Sequence, residues 1–512
     1  MSEGNGLPKG WAEATIEDIA YTATGGTPDR KNPAYFGGDI PWVKSGELGD
    51  GRVYASEESL TALGVDESSA KIFSKGTLCI ALYGATVGKL GILEMDATTN
   101  QAVCGIFVPP EVRREYLFHY LTLIRPKLVE QGKGGAQSNI SNGLVRQTTI
   151  PIAPLPEQHR IVDKIEELFS DLDAGVSALK RAKANLKRYR ASVLKSAVEG
   201  RLTEEWRKEH PQAEDGQMLL DRILRERREK WGKDQLLKFK EKGKEPPKNW
   251  ESKYEEPSAP ATSELPELPE GWVWGSLQQI LHGIEGGTSF SCLTRMATMD
   301  EWGVVKVSAM TWGTFLEDEQ KALPPETEFD SSNEIKPGDM LLSRCNTAEL
   351  VGASVLVGEC RPRLLLSDKS LRLLVSESIS RTWLHKVMSS RMARQQMSDV
   401  ATGSSNSMRN ISQDKIYAVR IPLPPLAEQE QIVALVEERL SQIDSAEKTI
   451  DSELIRSKRL RQSILKRAFE GKLVPQDPKD EPASVLLERI KASREADQPK
   501  KKAKKVTKVK AK

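Results

Sequence analysis

IPIAPLPEQHRIV (150–162) and IPLPPLAEQEQIV (421–433) are one stretch written twice, 271 residues apart, and reading them as a repeat decides the fold. The match is wider than these thirteen positions. NIS (139–141) returns at 410–412, and SVLKSAVEGRL (192–202) returns as SILKRAFEGKL (463–473). From Asn139 to Thr203 the chain aligns with Asn410 to Val474 without a gap. Nearer the start, LPKGW (7–11) returns as LPEGW (268–272). Solenoid repeats have periods of about 20–50 residues. A period this long is a duplicated domain pair, and two similar halves present two similar surfaces to something itself bipartite.

Working outward from the quoted stretch, each copy opens a long helix. Ile161, Ile165, Leu168, Leu172, Val176, Leu179, Ala182, Leu186, Tyr189 and Val193 recur every three or four residues, an apolar seam along one helix. Pro156 suits its first turn and Glu157 its positive end. Gly200 in EGRL is a C-cap. Some 40 residues at about 1.5 Å each give roughly 60 Å, and Gly175 costs it about 1 kcal/mol. The second seam is Ile432, Val436, Leu440, Ile443, Ile450, Leu454, Leu460 and Ile464, ending at Gly471. Two matching stripes in one chain most simply pair, and antiparallel pairing would put the globular domains at opposite ends.

Ahead of each helix the texture is α+β. WVKS (42–45), TLCIALYG (77–84) and AVCGIFV (102–108) read as strands, and YLFHYLTLIRPKLVEQ (116–131) has helical spacing. TGGTPDRKNPAYFGGDIPW (24–42) has the composition of loops. KGTLCIALYGATVG (75–88) faces PGDMLLSRCNTAELVG (337–352) with a shift in register, and LFH (117–119) faces WLH (383–385). Between the halves, LLDRILRERREKW (219–231) is a charged helix echoed by LLERIKASREA (486–496), and 245–270 is a proline-rich linker.

A chain of 512 residues with 38% hydrophobic and 29% charged residues is a soluble multidomain protein. The net charge of +2 does not by itself argue for nucleic acid. Charge is patchy, with a basic stretch at 181–208 and a lysine-rich end at 499–512, either a solvated tail or weak help on a polyanion. Five cysteines and five histidines form no CxxC or HExxH, so reduced thiols are expected and no metal site. The N-terminus lacks the apolar run of a signal peptide and no membrane helix is visible, so a cytoplasmic protein is expected.

Catalytic motifs fail on inspection. GATVGK (84–89) is one residue short of a phosphate loop, and Leu90 stands where a Ser or Thr would hold magnesium. NPAY (32–35) looks like an amino-methyltransferase motif but has no glycine-rich cofactor motif before it. EGK (470–472) repeats as EGR (199–201) at a helix end, which capping explains. The polar loops GGAQSNIS (134–141) and TGSSNSMRNIS (402–412) are different. Gln137, Asn139, Asn406, Arg409 and Asn410 can bond base edges or phosphates, or cap the backbone. The same holds for Lys44, Tyr83, Thr86, Lys89, Asn100 and Gln101, and for Ser343, Arg344, Asn346 and Lys369.

The order of these parts resembles the specificity subunit of type I restriction-modification enzymes, over roughly residues 7–495. LPKGW and LPEGW, GGTPDRKNPAYFGGDIPWVKSGEL (25–48), YGATVGK (83–89), NQAV (100–103), GGAQSNIS and the P-L-x-E-Q helix starts at 154–158 and 425–429 carry the resemblance. The second half departs from it: GIEGGTSF (283–290) and VVKVSAM (304–310) stand in place of GGTP…IPW.

The resemblance implies an α+β fold with two target-recognition domains separated by a pair of long antiparallel helices, related by an internal pseudo-two-fold repeat. The domains are 1–155, spacer helix 156–203, charged helix and linker 204–267, second domain 268–424, second spacer 425–474, a terminal helix 475–498 and a disordered tail 499–512. It further implies a non-catalytic chain. Each domain reads half of a split DNA site, and the helices set the spacing and dock two methyltransferase subunits. Restriction subunits join through the methyltransferase core. The chain itself carries no cofactor; S-adenosylmethionine, ATP and magnesium belong to the partners. The rival readings are a helical scaffold with two protein-binding modules and a fused methyltransferase; the missing cofactor motif argues against the second.

Overall fold

The short apolar runs, punctuated by glycine and proline, become strands, and both halves place them in the same order. A computed structural model describes residues 6–132, 139–211, 213–311, 313–405 and 408–497. The first half opens with β1 (Ala12–Thr15), α1 (Ile16–Ile19), β2 (Tyr21–Thr24), β3 (Phe36–Val43), β4 (Gly51–Val53) and β5 (Glu58–Leu60). It continues through α2 (Ala62–Asp66), β6 (Ile72–Phe73), β7 (Leu78–Ala81), β8 (Leu90–Leu93), β9 (Ala97–Thr99) and β10 (Val103–Phe107). It closes with α3 (Arg114–Gln131), α4 (Asn142–Arg146), β11 (Thr149–Ile152) and α5 (Leu155–Val198).

After α6 (Glu204–Glu209) and α7 (Gly216–Glu241) the second half begins with β12 (Val273–Ser276), α8 (Leu277–Ile280), β13 (Leu281–Gly286), β14 (Gly303–Val305) and β15 (Gln320–Ala322). Next are β16 (Met340–Ser343), β17 (Cys345–Asn346), β18 (Ser354–Leu356), β19 (Leu364–Leu365) and β20 (Ser370–Val375). Then follow α9 (Arg381–Ser389), α10 (Arg391–Val400), β21 (Thr402–Ser405), β22 (Met408–Asn410), α11 (Gln413–Tyr417), β23 (Arg420–Leu423), α12 (Leu426–Phe469) and α13 (Ala483–Asp497).

Sheet order repeats with the elements. β1 pairs with β11, and β12 with β23. The order β2-β10-β7-β8-β4 corresponds to β13-β20-β16-β18, and β5-β3-β9-β6 to β15-β14-β19. The central pairs β3·β9 and β14·β19 are both parallel. Each half turns its first corner with a capping box: the Thr15 amide donates to Asp18 at 2.8 Å, and the Ser276 amide to Gln279 at 2.9 Å.

Three expectations need correction. The loop expected over 24–42 ends early, because Phe36–Val43 is strand β3; its glycines sit where the pairing with β5 slips between Phe36 and Ile40, a bulge that tolerates them. The register shift at GATVG is a longer turn: Gly88 N–H bonds Ala81 O, whereas Gly352 N–H bonds Ser343 O, two residues further along. LFH and WLH are one residue out of step. α3 and α9 start from Arg113 and Ser380, which sets buried Tyr116 opposite buried Trp383.

Chain contacts divide the molecule into two compact units, residues 1–180 with 451–512, and residues 181–450. Each unit therefore takes the start of one 44-residue helix and the end of the other. In the first, Ile161, Val162 and Ile165 of α5 share a core with Leu465 and Ala468 of α12 and with Leu486 and Ile490 of α13. Arg461 pairs with Asp173, and its guanidinium lies 4.1 Å over the Phe169 ring. In the second, Val193 and Ala197 of α5 share a core with Ile432 and Val436 of α12 and with Leu219 and Ile223 of α7. The LLDRI and LLERI echo thus marks helices covering equivalent cores. Among the described residues no helix is long and apolar enough to cross a membrane.

Candidate nucleic-acid interface

The polar residues singled out in the first half collect between its two larger sheets. Beyond β7, the carbonyl of Leu82 accepts from Ile140 N at 2.7 Å, which sets Tyr83 opposite Asn139. Thr86 Oγ1 donates to Ser45 O at 2.9 Å, beside Lys44, and Lys89 closes the turn with its amide on Thr86 O. The Asn100 amide bonds Val43 O at 3.1 Å, and Thr27 hydrogen-bonds its neighbour Gln101. Lys44 caps the 3-10 turn after β3, and its ammonium lies 2.9 Å from Glu57 and 3.0 Å from Glu58. Those carboxylates hold it above the usual lysine range. Gln137 lies outside the described residues.

The second half builds the same junction from different side chains. The Arg344 amide bonds Lys369 O at 2.9 Å, and the Arg344 carbonyl accepts from Ile411 N at 3.0 Å. β17 pairs with β22, setting Cys345 opposite Asn410 and Asn346 opposite Arg409. Arg344, Lys369 and Asn410 are exposed. Arg409 instead turns its Nη1 onto Ala401 O at 3.0 Å, and Asn346 Oδ1 accepts from the Thr347 amide at 2.8 Å. Ser343 is a correction: it is fully buried in β16, so it cannot touch a base directly. Asn406 lies outside the described residues.

The P-L-x-E-Q motif faces inward. Trp11 of LPKGW donates its indole N–H to Glu157 Oε2 at 3.1 Å, and Trp272 of LPEGW donates to Glu428 Oε2 at 2.8 Å. Gln158 accepts from the Arg113 amide at 2.9 Å and donates to Ala153 O at 2.8 Å; Gln429 accepts from Ser380 and donates to Pro424 O, both at 3.0 Å. All four carboxamide and carboxylate side chains are buried. They tie the helix start to the domain's opening strand and to its internal helix. The carbonyls of Gly10 and Gly271 accept the first amides of α13 and α7, at 2.8 Å from Ala483 and 2.7 Å from Gly216. The EGxL ends complete each clasp crosswise: Gly471 packs on Pro8, and Gly200 on Pro269. Their φ of +67° and +69°, and the prolines where a Cβ would sit, require glycine.

The remaining motifs are structural. GATVGK joins strand β7 to strand β8 rather than a strand to a helix. In NPAY, Asn32 caps its own turn and Tyr35 donates to Glu67 at 2.8 Å. Burial pushes the Cys104 thiol up to about 12 and that of Cys79 higher, so neither is a thiolate. Among the described residues no three His, Cys, Asp or Glu side chains are grouped to hold a metal.

Residues 8–181 match the family model described as the type I restriction modification DNA specificity domain. Along 99% of its length the chain is 25% identical to the type I restriction enzyme EcoKI specificity subunit of Escherichia coli strain K12, covering 100% of that protein. This chain is a homologue of type I specificity subunits. A shorter segment, 32% of the chain, is 32% identical to the MjaIX specificity subunit of Methanocaldococcus jannaschii and covers 39% of it. The fold is that of a solved chain from a type I R-M system, with a TM-score of 0.64 at 19% identity, covering 91% of this chain and 99% of that one.

Two residues that the sequence motifs did not single out take the places of Lys44 and Thr27 in the second half. Lys306 caps the 3-10 turn after β14 as Lys44 does after β3, and its ammonium lies 2.8 Å from Glu319. Thr288 is the counterpart of Thr27; it bridges to Ser367, and its carbonyl accepts from Asp368. A signal for both was present. GGT recurs at 25–27 and 286–288 with the 261-residue offset of LPKGW and LPEGW, not the 271 of the helices.

Proposed function

We propose that this chain is the DNA sequence-specificity subunit of a type I restriction-modification complex. The observation that carries the reading is likeness to a specificity subunit across the whole of both chains. Each recognition domain reads half of a bipartite, asymmetric site. The first offers Lys44, Tyr83, Thr86, Lys89, Asn100, Gln101, Gln137 and Asn139. The second offers Arg344, Asn346, Lys369, Asn406, Arg409 and Asn410, with Lys306 and Thr288 added. Ser343 acts only by shaping the strand that presents Arg344. One scaffold with two side-chain sets suits two half-sites, because base identity is read by side-chain donors and acceptors while phosphate contacts fix register.

The long helices are the spacer between the two readings and the dock for two methyltransferase subunits. At 44 residues each they measure roughly 66 Å, against about 34 Å for a turn of duplex. The chain catalyses nothing itself. S-adenosylmethionine, ATP and magnesium are held by the partners, and restriction subunits join through the methyltransferase core. The test is to replace residues 7–150 with the matching region of a relative and sequence the methylated sites in cells making the complex. One half of the motif should change, with the other half and the spacing kept. A change in both halves sinks the modular reading.

A further inference from the structure

A buried carboxylate oxygen stands without a partner in the first unit where the second unit supplies an arginine. Glu157 is 1% exposed; Oε2 takes the Trp11 indole, and Oε1 has no hydrogen-bond partner. Glu428 occupies the same place in the second unit. Its Oε1 accepts from Thr203 Oγ1 at 2.7 Å, from Arg207 Nη2 at 2.8 Å and from Arg207 Nε at 3.1 Å. At the 271-residue offset, Thr203 and Arg207 correspond to Val474 and Pro478, neither of which has a side-chain donor to give.

The space left by that exchange is open. A cleft of about 410 Å³ is lined by Trp11, Pro154, Glu157, Asp477, Pro478 and Asp480, with Lys9 also in its wall. Arg160 on α5 is bonded to Asp480 at 2.6 Å, and Glu157 Oε1 is left without a hydrogen bond. Three carboxylates thus line the cleft with one cation, Lys9. The occupied copy shows what fits: Arg207 brings two N–H groups to one carboxylate and lies 5.6 Å from the Trp272 ring centroid. Trp11 offers the same ring wall in the open copy.

We propose that this cleft is a guanidinium site, filled by an arginine side chain of a partner chain that donates to Glu157 Oε1 as Arg207 donates to Glu428. A planar fork suits it better than an ammonium, because two parallel donors and a stacking face are all used.

N-ethylguanidinium titrated calorimetrically into the full chain tests the site. The expected result is one saturable site, at least tenfold tighter than for ethylammonium, abolished by Glu157→Gln. The double substitution Val474→Thr/Pro478→Arg rebuilds the internal arginine, keeps the carboxylate and should abolish binding in a folded, more heat-stable chain. Absence of saturable heat, or binding undiminished in the double variant, overturns the proposal. A second arm rests on the specificity-subunit reading: capture of the purified methyltransferase partner should be lost in the double variant. Capture retained there rejects a partner arginine and assigns a free guanidino compound. A chain that binds N-ethylguanidinium but captures no methyltransferase sinks the functional reading and leaves the site standing.

Discussion

Glu157 and Glu428 sit on the same turn of matching helices and receive the same tryptophan N–H, yet their surroundings differ by two residues, Val474 and Pro478 against Thr203 and Arg207. The consequence is electrostatic. Burial raises the Glu157 carboxyl above its ordinary value of 4.5, with the Trp11 hydrogen bond and nearby Arg160 only partly opposing. Glu428 has a salt-bridged guanidinium whose side chain is 19% exposed. A duplicated fold can keep its geometry while one copy closes a buried charge internally and the other leaves it open, because the clasp's shape depends on the tryptophan and glutamine contacts that both copies keep.

The sharpest break of this comparison is Arg207→Ala. Stranding Glu428 should cost the second unit about 3–5 kcal/mol. Hydrogen exchange resolved by segment should show protection falling around 426–436 and holding around 157–165. Equal loss in both places would mean the units do not differ as described. Replacing the tryptophans comes next. Trp272→Phe removes a hydrogen bond to a charged group, worth about 1.5–3 kcal/mol. Trp11→Phe should cost less, because burial already shifts Glu157 toward its neutral form; denaturation midpoints of the two variants measure the gap.

The two faces proposed to read DNA differ as well. No ion pair involves Arg344 or Lys369 among the described residues, whereas Lys44 is already held by Glu57 and Glu58. In the assembled complex, Arg344→Ala should weaken duplex binding about tenfold and lower the salt slope by about 1, and Lys44→Ala should do less. Salt-titrated binding reads both, and a larger effect at Lys44 reverses the ranking. The smallest effect belongs to Glu157→Gln. A carboxyl whose folded value is raised keeps its proton longer folded than unfolded, so the wild-type first unit loses stability as pH rises through that window. Glu157→Gln should flatten the slope and stay within about 1 kcal/mol at neutral pH. Thermal unfolding from acid to neutral pH, with Arg160 and Asp480 unchanged, checks the sign.

The repeat, the helix limits and most strands could be read without coordinates, because each rests on local pattern. The expected spacers began within one residue of α5 and α12 but ran past their ends at Val198 and Phe469, to 203 and 474, while the apolar runs located β7 and β10. The placement of the residues proposed to read DNA was half legible. Tyr83, Asn139, Arg344 and Asn410 lie in matched places of the two halves, but Ser343 is buried, and Lys306 lies in VVKVSAM, where no IPW marks the end of the strand.

By itself the sequence determined that there are two copies of one α+β design, each feeding a helix of some 40 residues, since periodicity and caps act between residues a few positions apart. It did not determine which distant surface each stripe or motif meets. Only the tertiary structure decided that LPKGW closes on the EGKL of the later helix and LPEGW on the EGRL of the earlier one. Only it decided that Glu157 serves Trp11 rather than just the helix dipole, across 146 residues of chain. The physical reason is that an apolar stripe or a buried carboxylate records its need for a partner, while the partner's identity depends on how the whole chain closes.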